Sequence, residues 1–380
     1  LPSHIDYIAA SQKGAGYYQR WIQNGRRVSA AKAFLNPAKK RRNLSIRTNA
    51  HVMRIELEGK RATAVRYAVG GRHGVEHVVE ARREIILSAG TINSPHILQL
   101  SGIGPKELLD DLGIEVKHHL PGVGENLRDH YAPRFTARAK NISTINELSR
   151  GPRLWAEIGK YLLGKQSIVG LGPTLVYAFW HSNEAIRNHD LQLTFAPASY
   201  KEGVQSQLDN EPGFTVASWQ QRPESLGWVK ARSADPFDKP RIQPNYLSAE
   251  EDKRVLLAGM RLCRRIMATP ELAPYLDYEQ YPGEHIQRDD ELLQVARERG
   301  TTTYHLMGAC RMGPDSDPTA VVDSDLRVKG IKGLRVADAS IMPTMLSSNL
   351  NAGALMIGEK ASDLVLGKEP LEPIMDAIQH

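Results

Sequence analysis

Apolar and polar residues alternate with a period of two most clearly in the first quarter of the chain. Ala50 to Leu57, Ala62 to Val69 and Val75 to Ala81 each send every second side chain to one face. Gly59, Gly70-Gly71 and Gly74 supply turns between them, so an antiparallel meander is predicted. Leu44 to Thr48 shows the same alternation and predicts another strand ahead of it. Glu84 to Gly90 is an apolar strand closing in small residues, and Thr91 to Leu100 continues it as a helix. Backbone in such a strand-turn-helix can approach a dinucleotide closely. Helical spacing is found over residues 25–39, with Val28, Ala31, Phe34 and Leu35 on one side, again over Asp252 to Ala268, and over Ala352 to Leu366. Residues 1–24 are polar with scattered glycines and predict a surface connection.

From about 131 to 300 the pattern changes. The strand-like pieces Tyr131 to Arg138, Leu191 to Pro197, Phe214 to Gln220 and Gly227 to Ala231 lack βαβ spacing, which predicts an antiparallel sheet. Trp155, Trp180, Trp219 and Trp228 fall in or near this region; a substrate wall and core packing explain them equally well.

Composition narrows the function classes. At 380 residues the chain has room for two or three domains, and 41% hydrophobic residues is ordinary for a globular enzyme. The formal charge of +6 invites a nucleic-acid reading, but 43 acidic residues are interspersed along the length. The cluster Lys39-Lys40-Arg41-Arg42 reads as a solvated helix end. Cys263 and Cys310 stand apart without ligand spacing, so neither a disulfide framework nor a metal site is expected. No apolar run reaches the ~18 residues of a membrane span.

The densest chemistry lies late in the chain. Tyr304-His305-Leu306-Met307-Gly308-Ala309-Cys310-Arg311-Met312-Gly313 is followed by Val321-Val322-Asp323, by Leu326 to Asp338, by Asp338-Ala339-Ser340-Ile341-Met342-Pro343 and by Ser347-Ser348-Asn349-Leu350-Asn351-Ala352. This ordered set resembles the C-terminal signature of the glucose-methanol-choline (GMC) flavin oxidoreductases. Glu84 to Gly104, closing in Ser-Gly-Ile-Gly, resembles a second signature of that family. Gly25-Arg26-Arg27-Val28-Ser29 and Pro121 to His130 are also similar to family segments.

The resemblance implies an α/β (α+β) fold: a partial, Rossmann-like FAD-binding domain with a β-meander, and a substrate domain built on an antiparallel sheet. The expected domains are 1–130, lacking the G-x-G-x-x-G unit, then 131–300 for substrate, then 301–380 returning to the flavin domain. It implies FAD as cofactor, with Val52, Ala89, Gly90, Asp338, Ala339 and Asn351 along it; for Val52 a plain strand valine is the competing reading. His305 would take the hydroxyl proton of an alcohol, Asn349 would hold its oxygen, and flavin N5 would take the hydride. Histidine suits a base near neutral pH, whereas hydride acceptance needs a cofactor. Asn349 and Asn351 are also expected to cap the last helix. His130 is read as structural, and Cys310 as packing.

The expected partners are a small-molecule alcohol and a quinone or other electron acceptor, with no nucleic acid and no integral span, in the cytoplasm or peripheral to the inner membrane. Choline is disfavoured because Thr174 to Trp180, where choline enzymes carry an acid, has none. Two alternatives stand beside alcohol oxidation: a flavin-containing hydroxynitrile lyase, and an inactive truncated chain, since the dinucleotide fingerprint is missing.

Overall fold

The computed structural model describes Ser3 and residues 12–172, 174–186, 188–201 and 204–372; residues 1, 2 and 4–11 of the connection expected over 1–24 therefore lie outside the described residues. The chain forms two compact units. One comprises residues 1–46, 131–221 and 251–302, the other 47–130, 222–250 and 303–380. Two segments thus fall outside the expected divisions: residues 1–46 group with the antiparallel sheet, and 222–250 with the meander.

In the first unit six strands pair antiparallel in the order Gly14–Tyr17, Val176–Trp180, Leu191–Ala196, Gly213–Gln220, Arg134–Ala139, Leu276–Tyr281. Gly213–Gln220 is paired on both edges and buried at every position, its polar Thr215, Ser218 and Gln220 included. The helix Glu250–Met267 lays Val255, Leu256, Met260 and Cys263 inward. Its Gly259 permits close approach to the sheet: a Cβ there would stand 2.7 Å from Ser218 Oγ and 2.9 Å from Leu191 Cδ2. Arg264 fastens the same helix to an edge strand, donating from Nε (2.9 Å) and Nη2 (2.7 Å) to the two carboxylate oxygens of Glu279. Burial pushes the Cys263 thiol up to about 12, so it packs as a small apolar group.

Three local expectations change. The strand expected over Tyr131 to Arg138 breaks at Pro133, which has no N–H to give: Tyr131–Ala132 pairs with Thr301–Thr302, and Arg134–Ala139 joins the large sheet. Leu44 to Thr48 forms no strand; Leu44 N–H turns back to Arg41 O at 3.1 Å. The early helix forms only over Ala31–Leu35 and Asn36–Ala38 and buries none of its residues. Of the tryptophans, Trp219 is buried in the sheet, Trp155 is exposed on a helix of the same unit, and Trp228 belongs to the other unit.

The second unit holds the predicted meander, Ala50–Glu58, Arg61–Val69 and Val75–Glu80, all antiparallel. Beside it Ile85–Leu87 pairs in parallel with Leu334–Val336, a contact between segments some 250 positions apart. The helix Gly90–Leu100 follows the first of these strands and buries Ile97 and Leu98 in a core shared with Ile55, Val321, Val322 and Val336. Gln99, fully buried on that helix, uses its whole amide: Nε2 donates to Val123 O (3.2 Å) and Val229 O (3.0 Å), and Oε1 accepts from Ala231 N (2.7 Å). This clamps the glycine loop 121–124 and the strand Trp228–Lys230 onto one helix.

The clamp works only because Gly124 has no side chain. Its φ is +90°, and a Cβ would meet Val229 O at 2.1 Å and Gln99 Nε2 at 2.5 Å. Gly124→Ala should therefore destabilise the fold by about 3 kcal/mol, combining a left-handed backbone with overpacking. A urea midpoint equal to that of the parent protein would contradict this.

Candidate active site

The loop that leaves Gly124 runs into Leu127-Arg128-Asp129-His130, and this segment pairs antiparallel with 303–307. Arg128 and Met307 exchange both backbone hydrogen bonds at 3.0 Å, and Thr303 N donates to His130 O at 3.0 Å. That register sets His130 opposite His305. Their rings meet edge to face, centroids 5.1 Å apart at 86°, with Nδ1 to Nδ1 at 2.8 Å. Thr303 Oγ1 lies 2.9 Å from the same His305 nitrogen.

The other ring nitrogen faces a different segment. Residues 308–312 donate backbone N–H groups to carbonyls of the turn Ala339–Ile341 (Cys310 N to Ser340 O 2.8 Å, Met312 N to Ile341 O 2.7 Å), and the chain then returns through Ser347 and Ser348. Asn349 arrives with its Nδ2 3.0 Å from His305 Nε2. An amide nitrogen only donates, so Nε2 is the acceptor and the ring proton sits on Nδ1, facing Thr303 Oγ1 and His130 Nδ1. Burial pushes the His305 pKa down to about 4, so the imidazole is neutral at physiological pH with its Nε2 lone pair directed at Asn349.

A buried carboxylate fixes the backbone of this histidine. Asp129 Oδ1 accepts from His305 N at 2.9 Å, while its Oδ2 accepts from the Tyr246 hydroxyl at 2.5 Å. Sequence reasoning did not single out Asp129, Thr303 or Tyr246, and read His130 as structural. The only signal for them was a polar pair, Asp129-His130, ending a glycine loop.

The residues expected along a cofactor fall into three groups. Ala89, Gly90, Asp338 and Ala339 come together. Asp338 Oδ2 accepts from Gly90 N (2.9 Å) and Ser94 Oγ (2.5 Å), while Oδ1 accepts from Ser340 N (2.8 Å). The helix Gly90–Leu100 thus has its first N–H taken by a protein carboxylate. Val52 lies apart, half-buried on the first meander strand beside an irregularity in its register. Asn351 is exposed at the first position of the helix Asn351–Leu366.

Capping by the asparagines is not seen. The N-cap is Leu350, without a side-chain bond, because the amide of Asn349 is directed at His305 instead. Cys310 packs fully buried, as expected, and burial raises its thiol pKa well above the usual range. Among the described residues no group of three His, Cys, Asp or Glu side chains could hold a metal ion, and no helix is long and apolar enough to cross a membrane.

Comparison with known proteins bears on the same segments. Two GMC oxidoreductase family models match the chain, one over residues 4–132 and one over 223–358. The chain belongs to the GMC oxidoreductase family. It is 39% identical over 378 residues to an oxygen-dependent choline dehydrogenase of Vibrio vulnificus, covering 98% of this chain and 66% of that protein. It is 41% identical over 373 residues to the mitochondrial choline dehydrogenase of Homo sapiens, covering 97% and 62%. The chain thus spans about two thirds of the length of these GMC relatives. Among solved structures, pyridoxine 4-oxidase from Mesorbium loti superposes with a TM-score of 0.84 at 27% identity, over 97% of this chain and 68% of that one. A formate oxidase gives 0.87 at 25% identity, over 96% and 67%.

The residues present fit a flavin of the GMC kind on one point of geometry. Gly90 has a φ of +83°, and no atom lies within 4 Å of where its Cβ would be, so bare backbone flanked by Ala89 faces open space. Ala339, half-exposed next to Asp338, adds a second small residue to the same surface.

Proposed function

We propose that the protein oxidises an alcohol to a carbonyl with FAD, His305 acting as base and Asn349 as the group that holds the substrate oxygen. The observation that carries this is the 3.0 Å approach of an amide donor to a neutral imidazole acceptor. An alcohol hydroxyl is complementary to that pair: its oxygen accepts from Asn349 Nδ2 while its proton points at His305 Nε2. As the proton moves to Nε2 the ring becomes cationic. Its Nδ1–H keeps Thr303 Oγ1 and His130 Nδ1 as acceptors, so the charged ring stays in place without reorienting. FAD, when bound, supplies the two-electron acceptor for the carbinol hydride; Ala89, Gly90, Asp338 and Ala339 would lie along it. The similarity to choline dehydrogenases makes choline the first substrate to assay, beside simple primary alcohols. Against it, the strand Val176–Trp180 carries aromatic side chains and no carboxylate.

Mixing the FAD-loaded protein anaerobically with alcohols tests the reading. An oxidoreductase bleaches the flavin's visible absorbance; turnover of a cyanohydrin with the absorbance unchanged would indicate a lyase and overturn it.

The pH dependence is a second expected outcome. With the His305 pKa near 4, the acid limb of kcat/KM should fall well below the value of ~6.5 expected for free histidine, leaving activity level from pH 6 to 8. The same shift bears on stability. A folded-state pKa below the unfolded one leaves stability full above about pH 6.5 and lowers it as pH falls toward 4, because the unfolded chain binds the proton first. A kcat/KM profile breaking at 6.5 or higher would remove His305 as the resting neutral base.

A further inference from the structure

In the six-stranded unit a cationic hairpin stands beside the end of an apolar helix. From Gln12 to Ile46 the chain has no acidic residue, yet it carries Lys13, Arg20, Arg26, Arg27, Lys32 and the run Lys39 to Arg42, the last four all exposed. The hairpin formed by Ile22–Gln23 and Arg26–Arg27 abuts the end of the helix Gly151–Leu162. A Cβ on Gly25 would stand 2.6 Å from Gly164 O, and the Arg26 guanidinium lies 5.7 Å from the centre of the Tyr161 ring.

That helix is apolar on more of its surface than the fold covers. Leu154, Ile158 and Tyr161 are half-buried, but Trp155 is 73% exposed, Leu162 65% and Leu163 74%. Trp155 and Leu162 are seven residues apart, so they project along one line of the helix. The helix has a single acidic residue, Glu157, and it is buried. Lys160 pairs with it at 2.5 Å and Ile168 N donates to it at 3.0 Å, so it does not offset the surrounding positive charge at the surface.

We propose that this face docks on the surface of an anionic lipid bilayer, with Trp155, Leu162 and Leu163 entering the headgroup boundary and the basic stretch facing the lipid charge. Exposed tryptophan and leucine on a helix flanked by cations is the composition that partitions into an interface. A nucleic acid would use the cations but gain nothing from two exposed leucines. A second copy of the chain would bring like charges together.

The test is flotation of the full chain with vesicles of phosphatidylcholine containing roughly one third phosphatidylglycerol, against phosphatidylcholine alone, at low and high salt. Binding should require the anionic lipid and weaken with salt. The variant W155S/L162S/L163S should lower the partition coefficient at least tenfold, and K39Q/K40Q/R41Q/R42Q should weaken binding and flatten its salt dependence. Circular dichroism melts matching the parent exclude misfolding as the cause.

The proposal fails if the parent protein does not float with the anionic vesicles, or if the triple variant floats equally well. It also fails if light scattering shows that the triple substitution dissolves a dimer, or if duplex DNA competes for the face and binds the triple variant undiminished. Flotation needs neither flavin nor turnover, so its outcome is independent of the catalytic reading.

Discussion

Replacing His305 by alanine should slow reduction of bound FAD by an alcohol by about 10² to 10⁴, the range that a positioned base contributes. The expectation follows from the ring's surroundings. Its Nδ1 proton is placed by Thr303 and His130, its Nε2 faces the Asn349 amide, and burial keeps it unprotonated at neutral pH. Alanine removes the acceptor for the hydroxyl proton and leaves Asn349 to hold a substrate that cannot be deprotonated. Stopped-flow flavin reduction measures the chemical step, and flavin content after purification shows whether the cofactor is still held. A reduction rate within a factor of ten of the parent, at full flavin occupancy, would dismiss His305 as the base. His305→Gln should be no better, because a glutamine amide cannot carry the proton away.

Removing the carboxylate of Asp129 is expected to cost both stability and rate. Two buried donors converge on it, the His305 backbone N–H at 2.9 Å and the Tyr246 hydroxyl at 2.5 Å. Asp129→Ala takes the acceptor from both, which should destabilise the protein by about 2 to 5 kcal/mol and lower the melting temperature accordingly. The His305 backbone then loses its carboxylate anchor and is held only by the flanking bonds at Thr303 and Met307, so flavin reduction should slow more than tenfold even where the protein stays folded. Asp129→Asn separates the two effects. It keeps the shape and one acceptor oxygen for the His305 N–H, and its amide can donate to the Tyr246 oxygen. It should therefore recover most of the stability and more of the rate than alanine does. Equal losses in both variants would show that the carboxylate's charge, rather than its position, is what matters.

Legibility from sequence differed by the range of the interactions involved. Period-two alternation gave the meander Ala50 to Ala81 nearly to the residue, because strands joined by turns of two and five residues pair locally. The strand-helix unit from Ile85 to Leu100 was legible for the same reason. Leu44 to Thr48 has the same alternation and forms nothing, since no neighbouring edge takes it up. The asparagines before the last helix looked like caps by position, yet the amide of Asn349 bonds across 44 positions to a histidine instead.

The residues that hold His305 illustrate the same limit. His130 and Asp129 stand about 175 positions from it, and Tyr246 reaches Asp129 across 117. By itself the amino-acid sequence determined where the meander and the strand-helix unit form, which glycines turn the chain, and, through the late motif, which imidazole and amide are candidates for the chemistry. Which nitrogen of that imidazole carries the proton, what anchors its backbone, and which neighbours surround it were decided by tertiary structure. Periodicity records which face of an element is buried, whereas a proton's position depends on polar atoms brought to about 3 Å by segments that nothing local ties together.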